Sequence, residues 1–253
     1  MYKNIDMKNV NNKKKVALVT GGTRGIGRSI VELLLKNNIF VFINYASNDK
    51  DVEILNRELG LKFGESFKVI KADLSSMNGA ETIVKEVTTF SNRIDYLIFC
   101  AGATLKKTFG NIEYDEWRKI FDINLNIPFM LLQMLDEVIE HNGRIIFINT
   151  IMSKYPHSTS IAYGVSKASV NMLVSYLVKV YAERKITVNS ILVGFANTTM
   201  IQRTPDHEAR IKNKIALGRF VEPNEIAEFV FFIIQNNYID GAILEMSGGY
   251  DFY

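Results

Sequence analysis

The sequence predicts a doubly wound α/β fold, in which helices cover both faces of a parallel sheet. Short runs rich in β-branched and aromatic residues alternate with longer helical patterns along the chain, which is the order expected for strand–helix–strand units. The short runs are apolar throughout, as in strands that are buried on both faces of a parallel sheet. With 253 residues, the chain has the length of one large domain of this class.

Seven runs are predicted to be strands, because each is short and rich in valine, isoleucine, leucine or phenylalanine. They are residues 16–20, 39–45, 67–73, 94–102, 143–150, 186–194 and 242–246. After the first three strands, helical patterns predict helices at about 25–36, through Leu59 and at about 76–90. A further helix is predicted to begin near Ala162.

The N-terminal stretch is polar and lacks the apolar core that a secretory signal peptide carries. Residues 1–14 are therefore interpreted as a flexible polar tail. Residues 15–253 show no internal repeat or linker and are interpreted as one domain. No run of about 18 apolar residues predicts a membrane span. Together these features predict a cytoplasmic protein.

The composition argues against several classes of partner. The formal net charge of +3 is too small to predict nucleic-acid binding, and the basic residues are scattered apart from residues 13–15. The single cysteine, Cys100, excludes internal disulfides and cysteine-based zinc sites. The three histidines lie far apart in the sequence, so no metal site is predicted.

A glycine-rich turn joins the first predicted strand to the first helix. In the segment TGGTRGIG, residues 20–27, Gly21, Gly25 and Gly27 are spaced as G-x-x-x-G-x-G. Glycines permit a tight turn and a close backbone approach to a pyrophosphate, and the following helix N-terminus supplies free N–H groups. A glycine turn alone can be purely structural, but its place between strand and helix favours a dinucleotide site.

The end of the second strand distinguishes between the two nicotinamide dinucleotides. A usual NAD site carries an acidic residue there, which hydrogen-bonds the ribose 2′-OH. Here the sequence is Asn44-Tyr45-Ala46-Ser47, without an acid, and Arg24 stands in the glycine loop, where its guanidinium can face a 2′-phosphate. The predicted cofactor is therefore NADP(H), with Ser47 as a further hydrogen-bond donor. The alternative is that Arg24 is only a solvated loop charge.

A tyrosine and a lysine four residues apart, Tyr163 and Lys167, follow the fifth strand. On a helix this spacing places both on one face, where an ammonium would lower the pKa of the phenol from its usual value of about 10. Such a phenol can give its proton to a carbonyl oxygen that receives a hydride. An ordinary helix face shows the same spacing by chance, so the pair gains its weight from the glycine loop.

Taken together, these motifs resemble those of the short-chain dehydrogenases/reductases, which share a single-domain Rossmann-like fold. The resemblance covers nearly the whole chain after the tail. It includes TGGTRGIG, the AD pair at Asp73, the AG at Ala101-Gly102, DINL around Asn124, YGVSK and the SGG near the C-terminus. NYAS after the second strand, LGRFVEPNEIA at 217–227 and YIDGAILEMSGGY at 238–250 look most like the 3-oxoacyl-[acyl-carrier-protein] reductases.

The resemblance implies a role for each matching residue. Tyr163 would be the general acid, and Lys167 would bind the nicotinamide ribose and lower the tyrosine pKa. Asn124 would hold a water in a proton relay to Lys167. Together with Tyr163 and Lys167, the remaining matches would contact NADP(H). They are Gly21, Thr23, Arg24, Gly25, Ile26 and Gly27 in the loop, Tyr45, Ala46 and Ser47 after the second strand, Asp73 and Leu74 at the adenine, Cys100, Ala101 and Gly102 at the ribose, and Gly194, Phe195, Ala196 and Thr198 at the nicotinamide.

Three positions depart from the family pattern. The catalytic serine of the family lies thirteen residues before the tyrosine, where this sequence has Thr150, which keeps the hydroxyl donor that polarises a carbonyl. Ser153 is the alternative hydroxyl. The usual asparagine pair is Phe99-Cys100, which removes one side-chain contact near the cofactor. The usual proline after the sixth strand is Val193, which makes that loop less rigid.

The resemblance implies NADPH-dependent reduction of a ketone to a secondary alcohol, most closely the β-keto group of an acyl thioester on acyl carrier protein, in fatty-acid or polyketide-type synthesis. One alternative is a short-chain dehydrogenase of another small alcohol, sugar or steroid, and another is a nucleotide-binding regulatory subunit with little turnover. The family's helices near 124–141 and 162–183 pack between subunits, which implies a homotetramer. Arg184 either meets an acidic carrier, as in the family, or is a solvated helix-end charge. His157 is interpreted as a rim residue of the substrate site.

Overall fold

Seven strands form one parallel sheet in the computed structural model, which describes residues 14–198 and 204–250. Their order is β3-β2-β1-β4-β5-β6-β7, and all neighbouring strands run parallel. The strands are β1 (Val16–Thr20), β2 (Phe40–Tyr45), β3 (Phe67–Lys71), β4 (Ile94–Phe99), β5 (Ile139–Thr150), β6 (Thr187–Val193) and β7 (Ile243–Met246). The predicted doubly wound sheet is confirmed. Its order reverses between β1 and β4, which opens a crevice at the carboxyl ends of these strands.

Eight α-helices in the same ranges connect the strands and cover both faces of the sheet. They are α1 (Gly25–Lys36), α2 (Asp49–Phe63), α3 (Met77–Phe90), α4 (Tyr114–Phe121), α5 (Ile127–Leu135), α6 (Ile161–Tyr181), α7 (Pro205–Lys212) and α8 (Pro223–Gln235). Between α4 and α5 the chain forms one π-helical turn, Asp122–Asn126. π-Helical turns inside helices are frequent at functional sites, and this one lies beside the crevice.

The alternation of side chains along each strand divides the core between the two faces of the sheet. On one face, Leu18 and Ile145 pack with side chains of α3, α5 and α6. On the other face, Val19 and Ile146 pack with side chains of α1, α2 and α8. All four side chains are fully buried. Because both faces are covered, the central strands require apolar residues at successive positions, which is the pattern that predicts the sheet.

Several strand ends differ from the predicted ones. β5 begins at Ile139 rather than at 143, because Ile139 pairs with Ile94 before a register shift brings Arg144 opposite Tyr96. β3, β4 and β6 end before the predicted boundaries. At these ends the chain leaves the sheet to form the loops that surround the crevice, so their apolar residues pack in turns rather than in strands.

Two lysines attach the beginning of the described chain to the sheet. Lys14 Nζ lies 3.0 Å from Ser66 Oγ, and Lys15 Nζ lies 2.7 Å from the Asp95 carboxylate. Apart from Lys14, the predicted tail at 1–14 lies outside the described residues, as do residues 251–253 of the predicted domain. The division into tail and domain therefore stays a prediction.

The longest helix, α6, combines its length with many apolar residues. With the 3-10 turn that follows it, it spans residues 161–184, and an 18-residue window of this segment has a mean hydropathy of 1.2, so by length and composition it could cross a membrane. This is weak evidence, because a core helix of a soluble protein meets the same criterion. Val170 and Val174 of α6 lie in the core, and its Lys167 is buried beneath the crevice. We interpret α6 as a core helix.

Candidate active site

The glycine loop has a backbone that only glycine allows at its tightest points. Gly21 and Gly25 have φ angles of +65° and +53°, in the left-handed region that other residues rarely adopt. A Cβ on Gly27 would collide with the carbonyl oxygen of Gly21, and one on Gly21 would lie 2.9 Å from Ala101 Cα. The loop thus packs closely against the turn after β4, and its backbone is left open toward the crevice.

A cleft of about 310 Å³ lies over this loop and is called here the glycine-loop cleft. It is lined by the loop and by the ends of β2, β3 and β4. Fifteen of the residues predicted to bind the cofactor line it, namely Gly21, Thr23, Arg24, Gly25, Ile26, Gly27, Tyr45, Ala46, Ser47, Asp73, Leu74, Cys100, Ala101, Gly102 and Thr198. The structure therefore brings together residues from five separate segments of the sequence.

A second cleft of about 520 Å³, called here the tyrosine cleft, contains Tyr163, Lys167 and Thr150. The predicted nicotinamide-side residues Gly194, Phe195, Ala196 and Thr198 also line it. The two clefts share four residues, which are Ile26, Cys100, Gly102 and Thr198. They are therefore adjacent parts of one groove along the carboxyl edge of the sheet, where ligands bind in open α/β folds.

An acidic residue follows β2 a few positions on, at the start of α2, but it does not face the groove as a free charge. Asp49, the first residue of α2, binds Lys71 Nζ at 2.7 Å and accepts a hydrogen bond from the Tyr45 hydroxyl at 2.9 Å. The hydrogen bond from Lys71 holds the pKa of Asp49 below its usual range. Arg24 is exposed in the glycine-loop cleft, and its side chain forms no hydrogen bond or ion pair with any residue in 14–198 or 204–250. Its guanidinium is therefore available to a ligand.

Tyr163 is the third residue of α6, and its phenol meets Thr150 at the end of β5. Burial raises the pKa of Tyr163, and the Thr150 side chain close to the phenol acts in the opposite direction. Thr150 is itself buried and also accepts a hydrogen bond from the Met152 N–H at 3.3 Å. Tyr163 is therefore a protonated phenol at neutral pH, paired with one hydroxyl at the floor of the tyrosine cleft.

Ser153, the alternative hydroxyl, has a structural role. Its Oγ donates to the carbonyl oxygen of Thr150 at 2.7 Å and accepts a hydrogen bond from Asn171 Nδ2 at 3.1 Å. Ser153 lines neither of the two clefts. Thr159, another nearby hydroxyl, is hydrogen-bonded to the ring of His157 at 3.0 Å, at the exposed side of the tyrosine cleft. Thr150 is thus the hydroxyl that faces Tyr163.

Lys167 is buried one helical turn after Tyr163. Its Nζ donates to the carbonyl oxygen of Ile148 at 3.2 Å, and burial lowers its pKa to about 8. The expected lowering of the tyrosine pKa by this lysine is not what the structure shows, because burial raises the pKa of Tyr163 instead. The ammonium is held at the backbone of β5 rather than at the phenol.

Asn124 lies in the π-helical turn and is fully enclosed. Its Nδ2 donates to the Ala103 carbonyl at 2.9 Å and to Ser166 Oγ at 3.0 Å, and its Oδ1 accepts from the Ala103 N–H at 2.9 Å. A Cβ on Gly102 would lie 3.2 Å from Asn124 Oδ1 and 3.5 Å from Lys167 Nζ. The side chain thus fastens the π-helical turn to the loop after β4 and to α6, while its role in holding a water stays a prediction.

The unusual Phe99-Cys100 pair is accommodated by packing. Phe99 stacks on Phe147 with ring centroids 4.8 Å apart. The backbone N–H groups of Cys100 and Ala101 donate to Thr20 Oγ1 at 3.0 and 3.1 Å, which fixes the turn after β4. Burial raises the pKa of the Cys100 thiol to about 12, so it lines both clefts as a neutral group.

The loop after β6 is held by contacts in place of the usual proline. Val193 is buried, and a Cβ on Gly194 would lie 3.0 Å from Ser247 Cα. Phe195 packs on Tyr250 with ring centroids 5.3 Å apart, and Ala196 forms a bridge with Val221. The expected loss of rigidity is therefore offset by packing against the C-terminal segment.

Sequence reasoning missed two groups of residues that line the groove. Asn44 and Ile123 line the glycine-loop cleft, and Asn44 Nδ2 holds the Ala72 carbonyl at 2.9 Å. His207, Arg210 and Lys214 line the tyrosine cleft. Asn44 stands at the end of a predicted strand, and this position in the sequence could have identified it. The sequence of α7 and of the turn after it shows no apolar pattern, so nothing in it indicates that these residues line the cleft.

Comparison with known proteins identifies the family. The sequence model of a protein family described as short chain dehydrogenase matches residues 15–209 of this chain. An acetoacetyl-CoA reductase of Allochromatium vinosum is 31% identical over 93% of this chain and 98% of its own length. The 3-oxoacyl-[acyl-carrier-protein] reductase FabG of Aquifex aeolicus is 30% identical over 93% of this chain and 96% of its own length.

A solved structure shows the same architecture. It is a blue fluorescent protein from a metagenomic library in complex with NADPH, 27% identical, with a TM-score of 0.88 over 94% of this chain and 99% of that one. The matched residues, 15–209, include the glycine loop and the helix that carries Tyr163 and Lys167. This chain belongs to the short-chain dehydrogenase/reductase family of oxidoreductases.

Proposed function

We propose that this protein uses NADPH to reduce a ketone to a secondary alcohol, and that the ketone is the β-keto group of an acyl thioester. The observation that carries the proposal is the protonated Tyr163 phenol, which lies close to the Thr150 side chain in a cleft that continues into the glycine-loop cleft. A phenol in that position can protonate an oxygen on which negative charge develops.

The residues of the glycine-loop cleft fit NADP(H). The loop turns tightly, since a Cβ on Gly21 or Gly27 would collide with neighbouring protein atoms, and such a glycine turn lets the backbone approach a pyrophosphate closely. The exposed guanidinium of Arg24 suits a 2′-phosphate, and the acid that follows β2, Asp49, is neutralised by Lys71. The similar structure with NADPH bound supports the same choice. NADPH would supply the hydride when bound.

The chain's own residues would donate the proton and stabilise the charge that develops on the ketone oxygen. Tyr163 holds it on the phenol oxygen and gives it to the ketone oxygen. Thr150 donates a hydrogen bond to the same oxygen and so stabilises the charge that develops there. Lys167, with a pKa of about 8, is largely charged at neutral pH and would contact the nicotinamide ribose. Asn124 fixes the turn beside Lys167.

The Arg24→Ala variant should discriminate between the two dinucleotides. A charge-assisted hydrogen bond contributes about 1.5–3 kcal/mol, so the NADPH dissociation constant should rise by roughly 10–100-fold. The NADH dissociation constant should stay unchanged. Titration of both cofactors by fluorescence measures this. Arg57→Ala removes an equal charge from the exposed side of α2, outside the cleft, and is the matched control. A wild-type preference for NADH would overturn the NADP(H) assignment.

The thioester substrate is supported by the two relatives, whose names give an acetoacetyl thioester and a 3-oxoacyl thioester as substrates. A panel of ketones with NADPH tests it: acetoacetyl and longer 3-oxoacyl thioesters against steroid ketones, sugars and simple ketones. Thioesters should give the highest kcat/KM. A preferred steroid, sugar or simple ketone would favour another dehydrogenase of the family. No turnover of any carbonyl would favour a nucleotide-binding regulatory subunit.

Docking of an acidic carrier at Arg184 gains little support. Arg184 donates to the Asp136 carboxylate at 2.8 Å and to the Asp136 carbonyl at 2.9 Å, so it joins the end of α6 to the segment before β5. It is therefore neither a free docking charge nor a solvated helix-end charge. Whether the thioester is carried by a protein or by coenzyme A is tested by comparing kcat/KM for the two forms of one acyl group.

We also propose that the protein is a cytoplasmic homotetramer. An apolar stripe on α6 is exposed in the single chain and consists of Val165, Met172, Tyr176 and Val180. The spacing of these residues places them on one side of the helix, as subunit contacts require. Phe129 and Met134 of α5 are also partly exposed.

The Tyr176→Asp variant should dissociate the assembly, because it places a charge in the centre of an apolar contact. Sedimentation velocity should show a shift from tetramer to a smaller species. Leu61→Asp changes an equally exposed apolar residue of α2, away from the stripe, and should leave the tetramer intact. A monomeric wild-type protein would contradict the proposed assembly.

A further inference from the structure

One side of α7 presents basic residues to the tyrosine cleft. His207, Arg210 and Ile211 lie on this side, and Lys214 follows in the turn after the helix. Their spacing of three and four residues places them in one row along the helix. Ile211 is buried against the cleft wall, whereas Arg210 and Lys214 are exposed at its mouth. This row, called here the basic face, is separate from Tyr163 and Thr150 but borders the same space.

The charged side chains of the described residues that line this cleft are all basic. Lys106 lines its other wall, His157 lies at its rim, and no aspartate or glutamate is among its described lining residues. Within residues 14–198 and 204–250, Arg210, Lys214 and Lys106 form no ion pair, whereas Lys212 on another side of α7 binds Glu208 at 2.6 Å. The basic residues of α7 and of the turn after it are thus sorted: Lys212, which is paired, lies outside the cleft, and Arg210 and Lys214, which form no ion pair with the described residues, face it.

The basic face does not border the space assigned to the phosphates of the cofactor. His207, Arg210 and Lys214 line only the tyrosine cleft, and none of them lines the glycine-loop cleft. Unpaired charges of one sign in a cleft concentrate ligands of the opposite sign there. A ligand that reaches both Tyr163 and the mouth of the cleft would bring its far end to these side chains.

We propose that the basic face binds an anionic group of the substrate, a phosphate or a carboxylate, at the end remote from the ketone. This inference rests on the proposed function, since it takes the occupant of the tyrosine cleft to be a ketone substrate. Arg210 and Lys214 are the specificity-determining residues. The enzyme therefore prefers ketones that carry a negative charge several bonds from the carbonyl.

Binding of unreactive ligands tests this without turnover. The full chain, saturated with NADP⁺, is titrated calorimetrically with two matched pairs: pantetheine against 4′-phosphopantetheine, and dimethyl glutarate against monomethyl glutarate. We expect the anionic member of at least one pair to bind more tightly by about tenfold or more. The phosphate pair and the carboxylate pair identify which anion is preferred. Equal affinity within both pairs would overturn the inference.

Variants then assign the preference to the basic face. In the double variant Arg210→Gln/Lys214→Gln, the affinities for the two members of the preferred pair should differ by only about twofold or less, as for a screened surface charge. Lys212→Gln, on the same helix but outside the cleft, should keep it. A preference that survives in the double variant would contradict the assignment. An equal loss of NADP⁺ affinity would also contradict it, because the face would then bind the cofactor.

Turnover separates this inference from the proposed function. If the protein binds the anionic ligands more tightly but reduces no ketone, the anion site is retained and the proposed reductase function is rejected. Equal kcat/KM for neutral and anionic β-keto thioesters, unchanged in Arg210→Gln/Lys214→Gln, would retain the reductase and reject the anion site. The circular dichroism spectrum and the thermal melting of each variant report that the variant is folded.

Discussion

Tyr163→Phe should lower kcat for ketone reduction by about 10²–10⁴-fold, the usual contribution of a general acid. The variant keeps the ring that fills the floor of the tyrosine cleft but has no proton to give. NADPH affinity should change far less than kcat, because the glycine-loop cleft is intact and the ring of residue 163 is kept. Steady-state loss of NADPH absorbance measures kcat, and a fluorescence titration measures the cofactor affinity.

The matched control for this variant is Tyr155→Phe. Tyr155 also carries a hydroxyl near the groove, but that hydroxyl donates to the Glu245 carboxylate at 3.2 Å. Its removal should cost about 1 kcal/mol of stability and leave kcat close to that of the wild type. A Tyr163→Phe enzyme that kept more than a tenth of the wild-type rate would show that another group supplies the proton.

Thr150→Ala should lower kcat by about 10²–10³-fold, as loss of one oxyanion-stabilising donor does. The hydroxyl of Thr150 is the one that meets the Tyr163 phenol, so its loss removes a donor from the point where charge develops. Thr150→Ser keeps the hydroxyl and removes only the methyl group. It should therefore keep or raise the activity, which the same absorbance assay measures.

Ser153→Ala is the control that distinguishes the two candidate hydroxyls. Ser153 joins the end of β5 to Asn171 of α6 through its two hydrogen bonds. The variant should lose stability in a denaturant titration, by about 1 kcal/mol per bond, without a large change in kcat. A large loss of kcat in Ser153→Ala, with Thr150→Ala unaffected, would reverse the roles assigned to these residues.

The parts of the site that the sequence predicts are those fixed by local spacing. Gly21, Gly25 and Gly27 lie within one turn, and Tyr163 and Lys167 lie one helical turn apart. In both cases the geometry follows from a single element, so the pattern of residues is enough. The strands are predictable for a similar reason, because burial on both faces requires continuous apolar runs.

The parts that the sequence does not predict depend on contacts between distant segments. The raised pKa of Tyr163 reflects burial, which helix spacing does not reveal. Arg184 looks like a helix-end charge until Asp136 is placed beside it. α7 is a short helix with charges on several sides, and only its position over the cleft shows that its basic residues share one face.

Deuteride transfer tests the central claim most directly. The wild-type protein is incubated with an acetoacetyl thioester and NADPH that carries deuterium at both hydrogens of nicotinamide C4, and the product is examined by mass spectrometry. The account predicts a 3-hydroxyacyl thioester with one deuterium on the carbinol carbon, formed far more slowly by Tyr163→Phe. Product without deuterium, or no reduction of this thioester, would contradict it.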